Sequence, residues 1–131
     1  MTLLTVILLL IGVETDYVKN PPPGDNGKAI GVLQIHPIMV RQVNQVGSGV
    51  FTLNDRFDRT KSIQMASMFL SHQMVRFRVK HGRRPSAREL MCSWNTGSIF
   101  KEAPKRYQER VDRYLGPSDA VTQTDNTLAR N

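Results

Sequence analysis

The chain has 131 residues, enough for one domain with a real core and short for two. Apolar residues make up 40%, ordinary for a globular protein, and Lys plus Arg outnumber Asp plus Glu by 18 to 11, a formal charge of +7. The surplus favours a polyanionic partner without choosing among nucleic acid, an anionic membrane surface and an acidic cell-wall polymer. The single cysteine, Cys92, excludes an internal disulfide, and no CxxC or other zinc-ligand spacing is present, so packing alone must hold the fold and no metal or cofactor is expected.

Along the chain, Leu3 to Val13 is apolar except for Thr5. This run is about half of what a bilayer span needs, which excludes a membrane crossing there. It has the length of a secretory signal core, but no Lys or Arg precedes it and no small-x-small site follows. The other reading is a buried first helix from Thr2 to Tyr17, which brings Glu14 and Asp16 to the edge of the apolar run. A carboxyl group at the C-terminal end of a buried helix feels three effects that raise its pKa: desolvation, the negative end of the helix dipole and, here, the like charge of Asp16. A carboxylic acid that keeps its proton near neutral pH suits general acid catalysis; at a solvated helix end it does nothing.

The stretch 19–29, KNPPPGDNGKA, cannot be helical, because three prolines remove donors and Gly24, Asn26 and Gly27 favour turns. A second helix is predicted from Pro37 to just before Gly47, with Ile38, Val40, Val43 and Val46 as its apolar face. The longest helical pattern follows, with Asp58 as its N-cap and Gly82 as its stop. Its apolar stripe is Ile63, Ala66, Met68, Phe69, Leu70, Met74 and Phe77. Ser86 and Glu89 fit a capping box before a short helix carrying Ala87, Leu90, Met91 and Trp94. A last helix runs from about Pro104 to Leu115 with Tyr107, Val111, Tyr114 and Leu115. From Gly116 a polar tail without apolar periodicity is expected to be mobile. The prediction is therefore mainly α: one domain over residues 1–115, a tail over 116–131, and no internal repeat.

Four features in this order resemble the lysozyme-like lytic transglycosylases, especially the short phage-type and soluble-transglycosylase-type domains. They are Glu14-Thr15 at the end of the first helix; Gly31-Val32-Leu33-Gln34-Ile35-His36-Pro37 after a glycine-containing loop; Trp94-Asn95-Thr96-Gly97 after a helix; and Tyr107 in the final helix, followed by Val111 and Tyr114. The resemblance runs from about Leu3 to Tyr114. Thr15 stands where that family has serine, and Thr96 where a small Ala or Gly is common, which bears on the width of the groove or the turn.

The resemblance implies a lysozyme-like domain with a substrate groove that cleaves the bond between N-acetylmuramic acid and N-acetylglucosamine in peptidoglycan. Glu14 would be the single acid and base, giving a 1,6-anhydro product. Thr15, Gln34, Asn95 and Tyr107 would bind or place substrate. Trp94 reads as core, and His36, His72 and His81 receive no role. The chain would act as a monomer on glycan strands in the periplasm, outside the cell or on a virion.

Three alternatives stay open. A muramidase on the same fold needs a second carboxylate about 5–9.5 Å from the first. Its candidates are Asp16, on another side of the helix; Asp25, in a turn-rich loop; and Asp55 and Asp58, which look like helix-start residues. A catalytically silent glycan-binding domain would use the same groove. A helix-turn-helix around GRRPSARELMCSWNTGS would explain the charge, but Pro104 interrupts the recognition helix that should follow and residues 1–80 are left unexplained. Nucleic acid is accordingly not expected as a partner.

Overall fold

The computed structural model describes residues 1–47 and 49–116; most of the expected polar tail lies outside the described residues. Five α-helices pack around one core: α1 (Leu3–Thr15), α2 (Pro37–Val46), α3 (Arg59–His81), α4 (Ala87–Thr96) and α5 (Lys105–Leu115). A 3-10 turn, Leu53–Phe57, precedes α3. Among the described residues there is no strand, only two isolated antiparallel bridges, Gly24 with Ala29 and Ile30 with Ile35. No helix among them is long and apolar enough to cross a membrane.

The first apolar run is the central helix. α1 packs against α3, α4 and α5, and Val6, Ile7, Leu10, Ile11 and Val13 are buried. A helix apolar on most sides is stable only where other helices surround it. Thr2 caps its start, its hydroxyl accepting from the Thr5 amide. It ends at Thr15, two residues before the expected Tyr17, because Asp16 and Tyr17 adopt positive φ (52° and 63°) and the Asp16 amide closes the last turn on the Gly12 carbonyl. The chain thus leaves the helix one residue beyond Glu14 and Thr15 and turns back over its end.

The local stop and start signals act where the sequence puts them. Asp58 accepts from the Lys61 amide, and Gly82 closes α3 at φ 70°. Ser86 and Glu89 exchange side-chain to backbone bonds of 3.0 and 2.8 Å at the start of α4. Which faces are buried differs in part. On α2 the buried residues are Met39, Val40 and Val43, while Ile38 and Val46 face solvent. On α3 Met65 is fully buried, and Ile63, Met68 and Met74 only pack against the core from its rim. Both helices are rotated by part of a turn from the expected stripe, which puts Ser62 and Gln73 inside. Cys92 is half-buried against the core, where desolvation pushes its thiol pKa up and keeps the thiol protonated. Trp94 is a core residue: its indole donates to the Leu33 carbonyl at 3.1 Å and its ring meets Phe69 edge-on.

The loop from Gly24 to His36 is held from below by Arg56. This buried guanidinium donates to the carbonyls of Leu53, Lys28 and Ile35 at 2.9, 3.0 and 3.0 Å. Gly31 sits where the loop crosses the 3-10 turn. Its φ is +82°, and a Cβ there would run into the Arg56 carbonyl, so both backbone angle and space call for glycine.

Candidate active site

Glu14 lies in the last turn of α1, half-buried, and lines a cavity of about 280 Å³ together with Asp25, Gln34, His36, Asn95 and Arg110. Tyr107 of α5 donates its hydroxyl to Glu14 Oε2 at 2.5 Å, across 93 positions of sequence. Four elements therefore meet: the end of α1 brings the carboxyl, α5 orients it, and the 24–36 loop and the end of α4 line the rest of the cavity.

Burial controls the charge state of Glu14. Desolvation lifts its pKa from 4.5 to about 7, against the opposing pull of the Tyr107 hydrogen bond and of the Arg110 charge, both of which favour the anion. The like charge of Asp16 plays no part, contrary to the expectation from sequence. Asp16 has turned out of the helix and accepts from the Tyr114 hydroxyl at the surface. The same environment pushes the Tyr107 pKa well above its ordinary range, first through burial and then through the facing carboxylate, so Tyr107 stays a hydrogen-bond donor.

Gln34 stands at φ +50° in the loop, its amide nitrogen donating to the Gly31 carbonyl at 2.9 Å. Its side-chain oxygen occupies the space that a Cβ on residue 24 would fill, so Gly24 makes room for it. Asn95 is exposed near the C-terminal end of α4, where Gly97 ends the helix in the left-handed conformation. Thr96 fastens the turn after it, its hydroxyl within 2.7 Å of the Ser98 carbonyl.

Thr15 is not on the cavity wall. Its hydroxyl lies 3.0 Å from both the Ile11 and the Val32 carbonyls, with one proton to share. Thr15 ties the end of α1 to the loop that carries Gln34. Glu14, Gln34 and Asn95 do share one cavity, with Tyr107 behind Glu14.

Two features escape sequence reasoning. Arg110 lines the cavity and donates to the Val13 carbonyl, so one cation both steadies the helix end and faces the carboxyl. Its signal was its spacing of three from Tyr107 on a helix, which puts the two on neighbouring positions of one face. Asp25 Oδ2 and His36 Nε2 lie 3.2 Å apart, and both residues line the cavity. Of the four candidate second carboxylates, Asp25 alone lines the cavity. Asp55 accepts from the Thr52 amide and Asp58 caps α3, as helix-start residues do.

The cavity continues. Gln34, His36, Trp94 and Asn95 also line an adjoining recess of about 190 Å³, which runs on past Gln42 and Gly97 to a third. Three neighbouring cavities thus lie along one side of α2 and α4, and Glu14 lines the one at the end of α1.

Comparisons of the chain with protein-family models, with curated proteins and with solved structures find no match.

Proposed function

We propose that this chain is a lysozyme-like lytic transglycosylase that cleaves the glycan strands of peptidoglycan, with Glu14 as its acid and base. The observation that carries the reading is Glu14 itself: a carboxyl lining a cavity, held by the Tyr107 hydroxyl, with a pKa of about 7. At pH 7 about half of the molecules then carry the proton, the state in which one group can both give and take it.

In the first half of the reaction Glu14 gives its proton to the glycosidic oxygen as the bond to the muramic anomeric carbon breaks. The resulting carboxylate then takes the proton of the C6 hydroxyl of the same sugar, whose oxygen forms the new bond to that carbon. Glu14 ends protonated, no water is consumed, and the product is the 1,6-anhydro sugar. Tyr107 holds the carboxyl in one orientation through both transfers, and Arg110 favours the anion between them. Gln34 and Asn95, on opposite walls, present amide groups to the acetamido and hydroxyl groups of the sugars. Proton transfer of this kind contributes about 10²–10⁴-fold, and the rest falls to orientation in the groove.

One observation favours a second reading. Asp25 lies on the same cavity, where a muramidase would keep a carboxylate to activate water. Its bond to His36 ties it to the rim. Mass analysis of products from purified peptidoglycan separates the readings: anhydro ends support the transglycosylase, reducing muramic ends the hydrolase, and retention without fragments a binding domain.

A further inference from the structure

The groove ends, beyond Gln42 and Gly97, in a recess of about 210 Å³ that the reaction above does not use. At its base is Gln73 of α3, only 2% exposed. The orientation of its amide is fixed by its neighbours: Oε1 accepts from the Ile99 amide at 2.9 Å and from Arg76 Nη1 at 3.3 Å. The Nε2 group must then point elsewhere, and it has no protein acceptor among the described residues. A buried amide donor without an acceptor costs about 1–3 kcal/mol and calls for one from outside the chain. Arg76 stands beside it, its guanidinium 4.9 Å from the centre of the Phe100 ring and steadied by Gln73, with Nε and Nη2 free of protein acceptors among the described residues. His72, Gln42 and Gln45 complete the polar wall, and no carboxylate lines it.

We propose that this recess binds a carboxylate, and that the carboxylate belongs to the peptide side branch of the glycan strand lying in the groove. The partner assignment rests on the reading of the groove as a peptidoglycan site; the recess itself does not. A fixed guanidinium next to a buried amide donor matches the two oxygens of a carboxylate. The cavity between them shares Gln42 and Gly97 with this recess and Gln34 and Asn95 with the cavity of Glu14, so an extended ligand can reach both.

The test is NMR titration of the full chain carrying Glu14→Gln, which binds without cleaving. Three probes are compared: a peptide-bearing disaccharide muropeptide, the same molecule with its carboxylates amidated, and a chitotetraose without peptide. The muropeptide is expected to shift the Gln73 side-chain amide signals. Its Kd is expected to rise tenfold or more on amidation and with Arg76→Gln, while the Kd of chitotetraose changes less than twofold. Gln73→Glu keeps the acceptor for Ile99 and Arg76 but puts a negative charge in the recess, and is expected to act like Arg76→Gln. Unmoved Gln73 signals, or an affinity indifferent to amidation, would overturn the proposal. So would inorganic phosphate displacing the muropeptide at lower concentration than acetate, since that assigns the recess to a phosphorylated ligand. If chitotetraose leaves the Asn95 signals unmoved while the muropeptide still shifts Gln73, the glycan reading of the cleft fails and the carboxylate site stands.

Discussion

At the scale of single residues, the side chain that matters most is kept in an unfavourable place. Glu14 near pH 7 stands between two forms, and folding favours the protonated one, because its pKa rises from 4.5 to about 7. The linkage follows from that sign. The contribution is complete below pH 4.5 and is lost as pH rises through about 7. The full shift corresponds to about 3 kcal/mol, and the partial exposure of the group brings the expectation to about 1–3 kcal/mol. Glu14→Gln should therefore abolish cleavage, match the parent in urea stability near pH 4.5, and exceed it by that amount at pH 8. Equal stability at both pH values would mean that the carboxyl is not desolvated. Tyr107→Phe removes a hydrogen bond that favours the anion, so the alkaline limb of kcat/KM should move to higher pH, with kcat lower by about 10–100-fold as the acid loses its orientation. A limb moving to lower pH would contradict the assignment.

At the scale of elements, the site depends on how the 24–36 loop is pinned. Arg56 and Gly31 do this from opposite sides of one crossing. Gly31→Ala puts a methyl group against a backbone carbonyl at a φ that side chains avoid, and should destabilise by about 2–4 kcal/mol. Arg56→Met leaves the Lys28 and Ile35 carbonyls without their donor and should cost about 2–4 kcal/mol in urea unfolding. Both variants should lower affinity for chitooligosaccharides even where they remain folded, since Gln34 is carried by this loop. Undiminished stability and affinity would make the crossing incidental.

Much of the element pattern was legible because its signals are local. Pro37, the Asp58 cap, the Ser86–Glu89 box and the stop at Gly82 act through atoms within a turn of themselves. Rotation of the helices was less so: Ile38 and Met39 are neighbours of equal hydrophobicity, and only α3 and the core decide which is buried. The pairing of Glu14 with Tyr107 joins residues 93 apart and entered through the family resemblance, not through any pattern of spacing. Arg56, Arg110 and the Asp25–His36 pair were not legible. Their partners are carbonyls, or a side chain in a loop whose path no periodicity encodes.

At the scale of the molecule, α3, α4 and α5 pack around α1 so that its last turn opens on a cavity, and the whole carries a charge of +7. The ion pairs of arginine among the described residues, Arg83–Glu89 and Arg88–Asp112, join partly exposed groups and absorb few of the cations. The surplus is available to an acidic polymer. Binding of the Glu14→Gln protein to whole peptidoglycan should weaken several-fold between about 0.05 and 0.3 M salt, while binding to neutral chitotetraose stays constant. Equal salt dependence for both would remove the charge from the recognition of the wall.

The most direct test of the central claim, that Glu14 is the proton donor of a glycan-cleaving groove, is mass analysis of what the protein releases from purified peptidoglycan, parent beside Glu14→Gln. The parent should yield muropeptides lighter by one water than hydrolysis products, with their yield falling above pH 7, and the variant none. Fragments released equally by the variant, or no fragments from the parent at any pH between 5 and 8, would contradict it.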